Sequence, residues 1–102
     1  MTTFEGSWDV INDALVGKMV VVFDITEQDG AIHGTARSDA ETADFLDVVA
    51  EGSRLTWTLM VTTPMRVTLK FDVNVDGDTM TGTSRAGPFL ASTLNGSRSS
   101  ER

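Results

Sequence analysis

The chain has 102 residues, with no cysteine, no tyrosine, two prolines and a single histidine. Without cysteine there is no disulfide framework and no thiolate metal site, which excludes cysteine-ligated zinc and iron–sulfur chemistry. One histidine excludes a His-rich metal centre within one chain. No metal-ligand spacing, Gly-rich phosphate loop or nucleophile elbow is present, so neither a metal nor a cofactor is expected. Asp76-Gly77-Asp78 lacks the further spaced acidic ligands of a calcium loop and reads as a hairpin turn. Basic side chains are scarce, 8 against 15 acidic ones, for a net charge of −7. Phosphate binding needs a basic face, so nucleic acid is not an expected partner. The longest apolar run, Met19 to Phe23, is far too short to span a membrane. Met1 to Glu5 has neither the basic nor the apolar region of a secretion signal, so a cytoplasmic location is expected.

What remains is 40% apolar and 23% charged, the composition of one globular domain. That domain is expected over 1–98, with 99–102 as a frayed tail. Hydrophobicity alternates with period two. Met65, Val67, Leu69, Phe71, Val73 and Val75 share one strand face, and Arg66, Thr68, Lys70, Asp72 and Asn74 share the other. Leu55, Trp57, Leu59 and Val61 form a second apolar face, and Met19, Val21, Phe23 and Ile25 a third. Asp29-Gly30, Glu51-Gly52-Ser53, Asp76-Gly77-Asp78, Ala86-Gly87-Pro88 and Asn95-Gly96 supply turn chemistry. Strands are predicted over 6–12, 17–28, 31–38, 44–51, 54–62, 65–75, 78–85 and 89–97. The fold class is therefore all-β, an eight-stranded antiparallel up-and-down barrel.

The chain also echoes itself. Phe23-Asp24-Ile25 and Ile32-His33-Gly34-Thr35-Ala36-Arg37 return 48 residues later as Phe71-Asp72-Val73 and Met80-Thr81-Gly82-Thr83-Ser84-Arg85. Either an internal four-strand duplication or convergence on shared strand chemistry accounts for this. In both cases two equivalent hairpins are expected, with Gly34 and Gly82 facing inward to relieve crowding or bend the sheet.

Gly6-Ser7-Trp8 opens the first strand and Asn95-Gly96-Ser97-Arg98 closes the last. With the strand count between them, these residues resemble the calycin-like small barrels that include lipocalins, fatty-acid-binding proteins and avidins. The Val75-Asp76-Gly77-Asp78-Thr79-Met80-Thr81-Gly82 hairpin is similar to one found in short bacterial barrel modules. The chain is shorter than a typical lipocalin, leaves no room for a C-terminal helix and has no tyrosine, so biotin binding is not carried over. The resemblance implies a closed barrel whose floor is Gly6, Trp8 and Arg98, with the guanidinium on the indole face. It also implies a cavity for a small, mostly apolar ligand.

An eight-stranded barrel is either filled by its side chains or wide enough for one small ligand. If open, its pocket is expected to use Phe23, Trp57, Phe71 and the adaptable thioethers of Met60, Met65 and Met80, although parity points Met60 outward. A second class of function is a cofactor-free enzyme (a cyclase, isomerase or lyase) with an inward Asp or His. Its candidates are His33, beside Asp24 or Arg37, and Asp47. Parity puts His33 outside. For Asp47, either Phe45, Asp47 and Val49 face inward, or Leu46 and Val48 do. Val20 and Val22, with Phe45, Val49 and Met60, form a candidate apolar outer patch, from which a homodimer is expected. A structural module whose task is association is the third class.

Overall fold

In the computed structural model, the described residues are 4–14, 17–39, 41–62, 66–86 and 91–99. They form nine strands: β1 (Gly6–Ala14), β2 (Gly17–Gln28), β3 (Ala31–Arg37), β4 (Thr42–Asp44), β5 (Leu46–Glu51), β6 (Arg54–Val61), β7 (Val67–Asp76), β8 (Thr79–Ala86) and β9 (Ser92–Arg98). All pairings are antiparallel, in the order β4-β3-β2-β1-β9-β8-β7-β6-β5. The first and last long strands pair with each other, Trp8 opposite Arg98, and the sheet curls into a nearly closed barrel.

The count is nine rather than eight because the single strand expected over 44–51 is broken. Its first part, β4, pairs with β3, and its second part, β5, pairs with β6. Phe45 lies at the break, its amide donating to the Gly34 carbonyl at 2.8 Å. Asp47 just after it adopts φ 51°, and the β5–β6 register shifts between Leu46 and Val49. That bulge takes up one extra residue, so alternation fails across it. Neither parity expected for this segment holds throughout. Phe45 and Val48 both face the core, whereas Leu46, Asp47 and Val49 are exposed.

Elsewhere parity decides the interior, as period-two chemistry requires. Trp8, Phe23, Ile25, Leu55, Trp57, Leu59, Phe71, Val73, Val75, Met80 and Leu94 are buried together. The tight turns at 29–30, 52–53 and 77–78 place Asp29, Gly30, Gly52 and Gly77 at positive φ. Asn95-Gly96, expected as a turn, is instead inside β9. Gly96 is paired there with Val10 and Met80, and a Cβ on it would meet Val10 Cγ2 at 2.8 Å. The glycine serves close packing between strands.

The 48-residue echo holds in the pairing. Val22 faces Arg37, Asp24 faces Thr35 and Ile25 faces Gly34 in β2–β3. Lys70 faces Arg85, Asp72 faces Thr83 and Val73 faces Gly82 in β7–β8. The registers agree pair for pair. The halves differ in their fourth strand, which is continuous in β9 and broken into β4 and β5 in the first half.

Candidate functional site

At one end the barrel is solid. The Arg98 guanidinium carbon lies 4.5 Å from the centre of the Trp8 ring. Trp8 is fully buried and its indole N–H donates to the Phe4 carbonyl at 2.9 Å. Arg98 also donates to the Gly77 carbonyl and lies 3.6 Å from the Asp78 carboxylate. Gly6, at φ 139°, leaves room for this side chain, since a Cβ there would be 3.3 Å from Arg98 Cδ. Ile25, Leu55, Val73 and Met80 fill the layers nearby.

Above them four aromatic rings make a partition. Trp57 stacks on Phe45 at 4.2 Å with ring planes 7° apart, and on Phe71 at 5.1 Å and 5°. Phe23 meets all three edge-on, at 5.2–5.8 Å. Such contacts each add about 0.5–1.5 kcal/mol beyond area burial. The Trp57 indole N–H is buried without a hydrogen-bond partner among the described residues.

Beyond the partition, at the end remote from Trp8, a cavity of about 250 Å³ opens. Its base is Val10, Phe23, Phe71 and Leu94, its walls include Val21, Ala36, Leu59 and Leu69, and Met19, Val61 and Val67 stand nearer the mouth. Among the described residues, Asn12, Ser38 and Glu41 are the polar side chains on it, and no cation lines it. The mouth is braced by the contact between Ser38 and Glu41, in which the Ser38 amide donates to the Glu41 carbonyl at 2.9 Å. The Glu41 carboxylate then accepts from the Thr62 amide at 2.9 Å and the Thr62 hydroxyl at 3.2 Å. This strap ties the first half of the barrel to the end of β6.

Of the residues proposed from sequence for the pocket, Phe23 and Phe71 line the cavity. Trp57 is behind Phe71 in the aromatic partition, Met80 is fully buried among the packed layers, and Met60 is half exposed on the outer wall. Met65 lies outside the described residues. His33 and Asp47 are both exposed on the outside of the barrel. Asp24 bonds Ser7 at 2.9 Å and Arg37 at 3.1 Å rather than His33. The structure thus brings neither of the two candidate acid–base groups to the cavity.

Sequence reasoning missed Asn12, whose signal was legible: it continues the inward Trp8, Val10 alternation of β1. It also missed Ser38 and Glu41, whose position depends on their contact with each other and not on strand parity. The expected apolar patch is changed as well. Phe45 is buried, whereas Ile11, Val20, Leu46, Val49 and Met60 are exposed. Among the described residues no group of three or more His, Asp or Glu side chains could hold a metal ion. No helix is long and apolar enough to cross a membrane. Comparison of the chain with protein-family models gives no match, and neither does comparison with curated proteins.

Proposed function

We propose that the protein binds a small, uncharged, mainly hydrophobic molecule in the cavity above the aromatic partition. The observation that carries this reading is the cavity itself. A barrel this small could have been filled by its own side chains, yet about 250 Å³ is left at one end. An engineered apolar cavity of about 150 Å³ already admits benzene, so a bicyclic or terpene-sized molecule fits the scale. Glu41 at the mouth, with no cation lining the cavity among the described residues, disfavours an anionic head group. The calycin-like resemblance of Gly6, Trp8 and Arg98 agrees with this use of the barrel.

Naphthalene is a suitable first probe. It should raise the melting temperature in proportion to log concentration, since a ligand that binds only the folded state stabilises it by mass action. Leu69→Trp, which fills the cavity, should abolish the shift, and Met60→Trp on the outer wall should not. A wild-type protein indifferent to naphthalene and to a panel of uncharged apolar compounds would sink the proposal.

A second reading, association between copies, is favoured by one observation. Ile11 and Val20 stand directly opposite each other across β1–β2, with relative exposures of 45% and 69%. Sedimentation velocity of the wild type and Val20→Lys tests it: a dimer dissociated by the lysine supports it, and a monomeric wild type removes it. The two readings are compatible, because the patch is outside and the cavity inside.

A further inference from the structure

We infer that Asn12 sets the specificity of the cavity by donating a hydrogen bond to a ligand acceptor oxygen, so that the ligand class is an apolar carbonyl compound. This rests on the proposed binding function. Ser84 is 3% exposed and is the buried polar residue of the described core. Ser84 is opposite Phe71 in β7–β8, and its counterpart 48 residues earlier, opposite Phe23, is Ala36. The same barrel therefore builds this position once with a methyl and once with a hydroxyl. A hydroxyl there needs a partner, because burying it unbonded is costly.

Asn12 is that partner. The Ser84 hydroxyl donates to Asn12 Oδ1 at 3.1 Å, linking β8 to β1 across the barrel. A carboxamide has one acceptor oxygen and two N–H donors. Ser84 engages the oxygen and fixes the plane of the amide. Asn12 Nδ2 has no protein partner among the described residues, and Asn12 lies on the wall of the cavity. A held donor on an otherwise apolar wall rewards an acceptor and disfavours a ligand that leaves it unpaired.

The other polar groups at the mouth do not duplicate this role. The Glu41 carboxylate is occupied by Thr62, and the Ser38 hydroxyl is tied to the Glu41 carbonyl. With a carboxylate rather than a cation at the entrance, a neutral ketone, aldehyde, lactone or ester fits better than a carboxylic acid.

The test uses a matched pair, the ketone 1-tetralone and its hydrocarbon parent tetralin, titrated against the full chain. Asn12→Leu should weaken 1-tetralone binding about three- to tenfold, the worth of one net hydrogen bond, and leave tetralin unchanged or tighter. The carbonyl stretch of bound 1-tetralone should fall in the wild type and return toward its apolar-solvent position in Asn12→Leu. Ser84→Ala, which installs the residue already present at Ala36, frees the amide without touching the cavity wall and should reduce the ketone preference while tetralin binds as before. Equal loss of both probes in Asn12→Leu, or an unshifted carbonyl in the wild type, overturns the inference and leaves the binding function standing. Binding of neither probe to a wild type that takes up naphthalene overturns the inference alone, and indifference to naphthalene and the apolar panel as well overturns both.

Discussion

Phe45 lies over Gly34 so closely that a Cβ at position 34 would come within 2.5 Å of its ring. The same two residues share the hydrogen bond at the break between β4 and β5. The ring then continues onto Trp57, 4.2 Å away and nearly parallel. One glycine thus admits the residue that carries the chain from one edge of the barrel to the other and backs the aromatic partition.

Gly34→Ala should therefore destabilise the protein by about 1–3 kcal/mol, the usual cost of overpacking. The Phe45 ring cannot simply retreat, because Trp57 is stacked on its far side. Pairing the change with Phe45→Leu should recover part of the loss, and a double-mutant cycle from denaturant melts measures the coupling. Additive effects would show that the close approach is not a constraint.

Trp8→Ala should cost roughly 3–5 kcal/mol, as expected for deleting a fully buried indole. Arg98→Lys should cost less, about 1 kcal/mol, because it keeps the charge and loses the planar group over the ring. Neither change touches the cavity wall, so naphthalene should still bind wherever the fold persists. Chemical denaturation and titration of the same samples check both points. Unchanged melting of Trp8→Ala would remove Trp8 from the floor of the barrel.

Asp72 is gripped by Arg54 through two hydrogen bonds, at 2.9 and 2.6 Å. The hydrogen bonds from the guanidinium, with a smaller charge attraction, hold the Asp72 carboxyl below its ordinary value of 3.8 despite some desolvation. A carboxylate lowered in the folded state binds fewer protons there than in the unfolded chain. Its stabilisation is complete above the ordinary value and is lost as pH falls through the lower folded one. Melting curves of wild type and Asp72→Asn should therefore differ at neutral pH and converge in strong acid. A gap that persists or widens at acid pH would show that the pair is not its source.

The outer wall of the two hairpins shows how little of such pairing follows from sequence. Asp24 and Arg37 are bonded at 3.1 Å in the first hairpin. Their counterparts 48 residues on, Asp72 and Arg85, are not paired with each other, because Arg54 on β6 takes Asp72. Arg85 faces Lys70 instead, where the first hairpin has Val22. The identity of the residues repeats, but their partners depend on which third strand lies alongside.

The all-β antiparallel architecture and most of the interior were legible before folding, because alternation is a local property that each strand carries in its own residues. Trp8, Phe23, Leu55, Phe71, Val73 and Met80 face inward for that reason. The meeting of β1 and β9 was legible too, through residues at both ends that need each other. Where that alternation breaks depends on the folded barrel. Asp47 at positive φ and the shifted register beside it send Phe45 and Val48 inward together, which no strict period allows. Which inward residues line space and which fill it is likewise settled by packing between strands, so Trp57 became a partition and Asn12 a wall. That difference is set by what packs behind each side chain, and its neighbours come from strands far away in sequence.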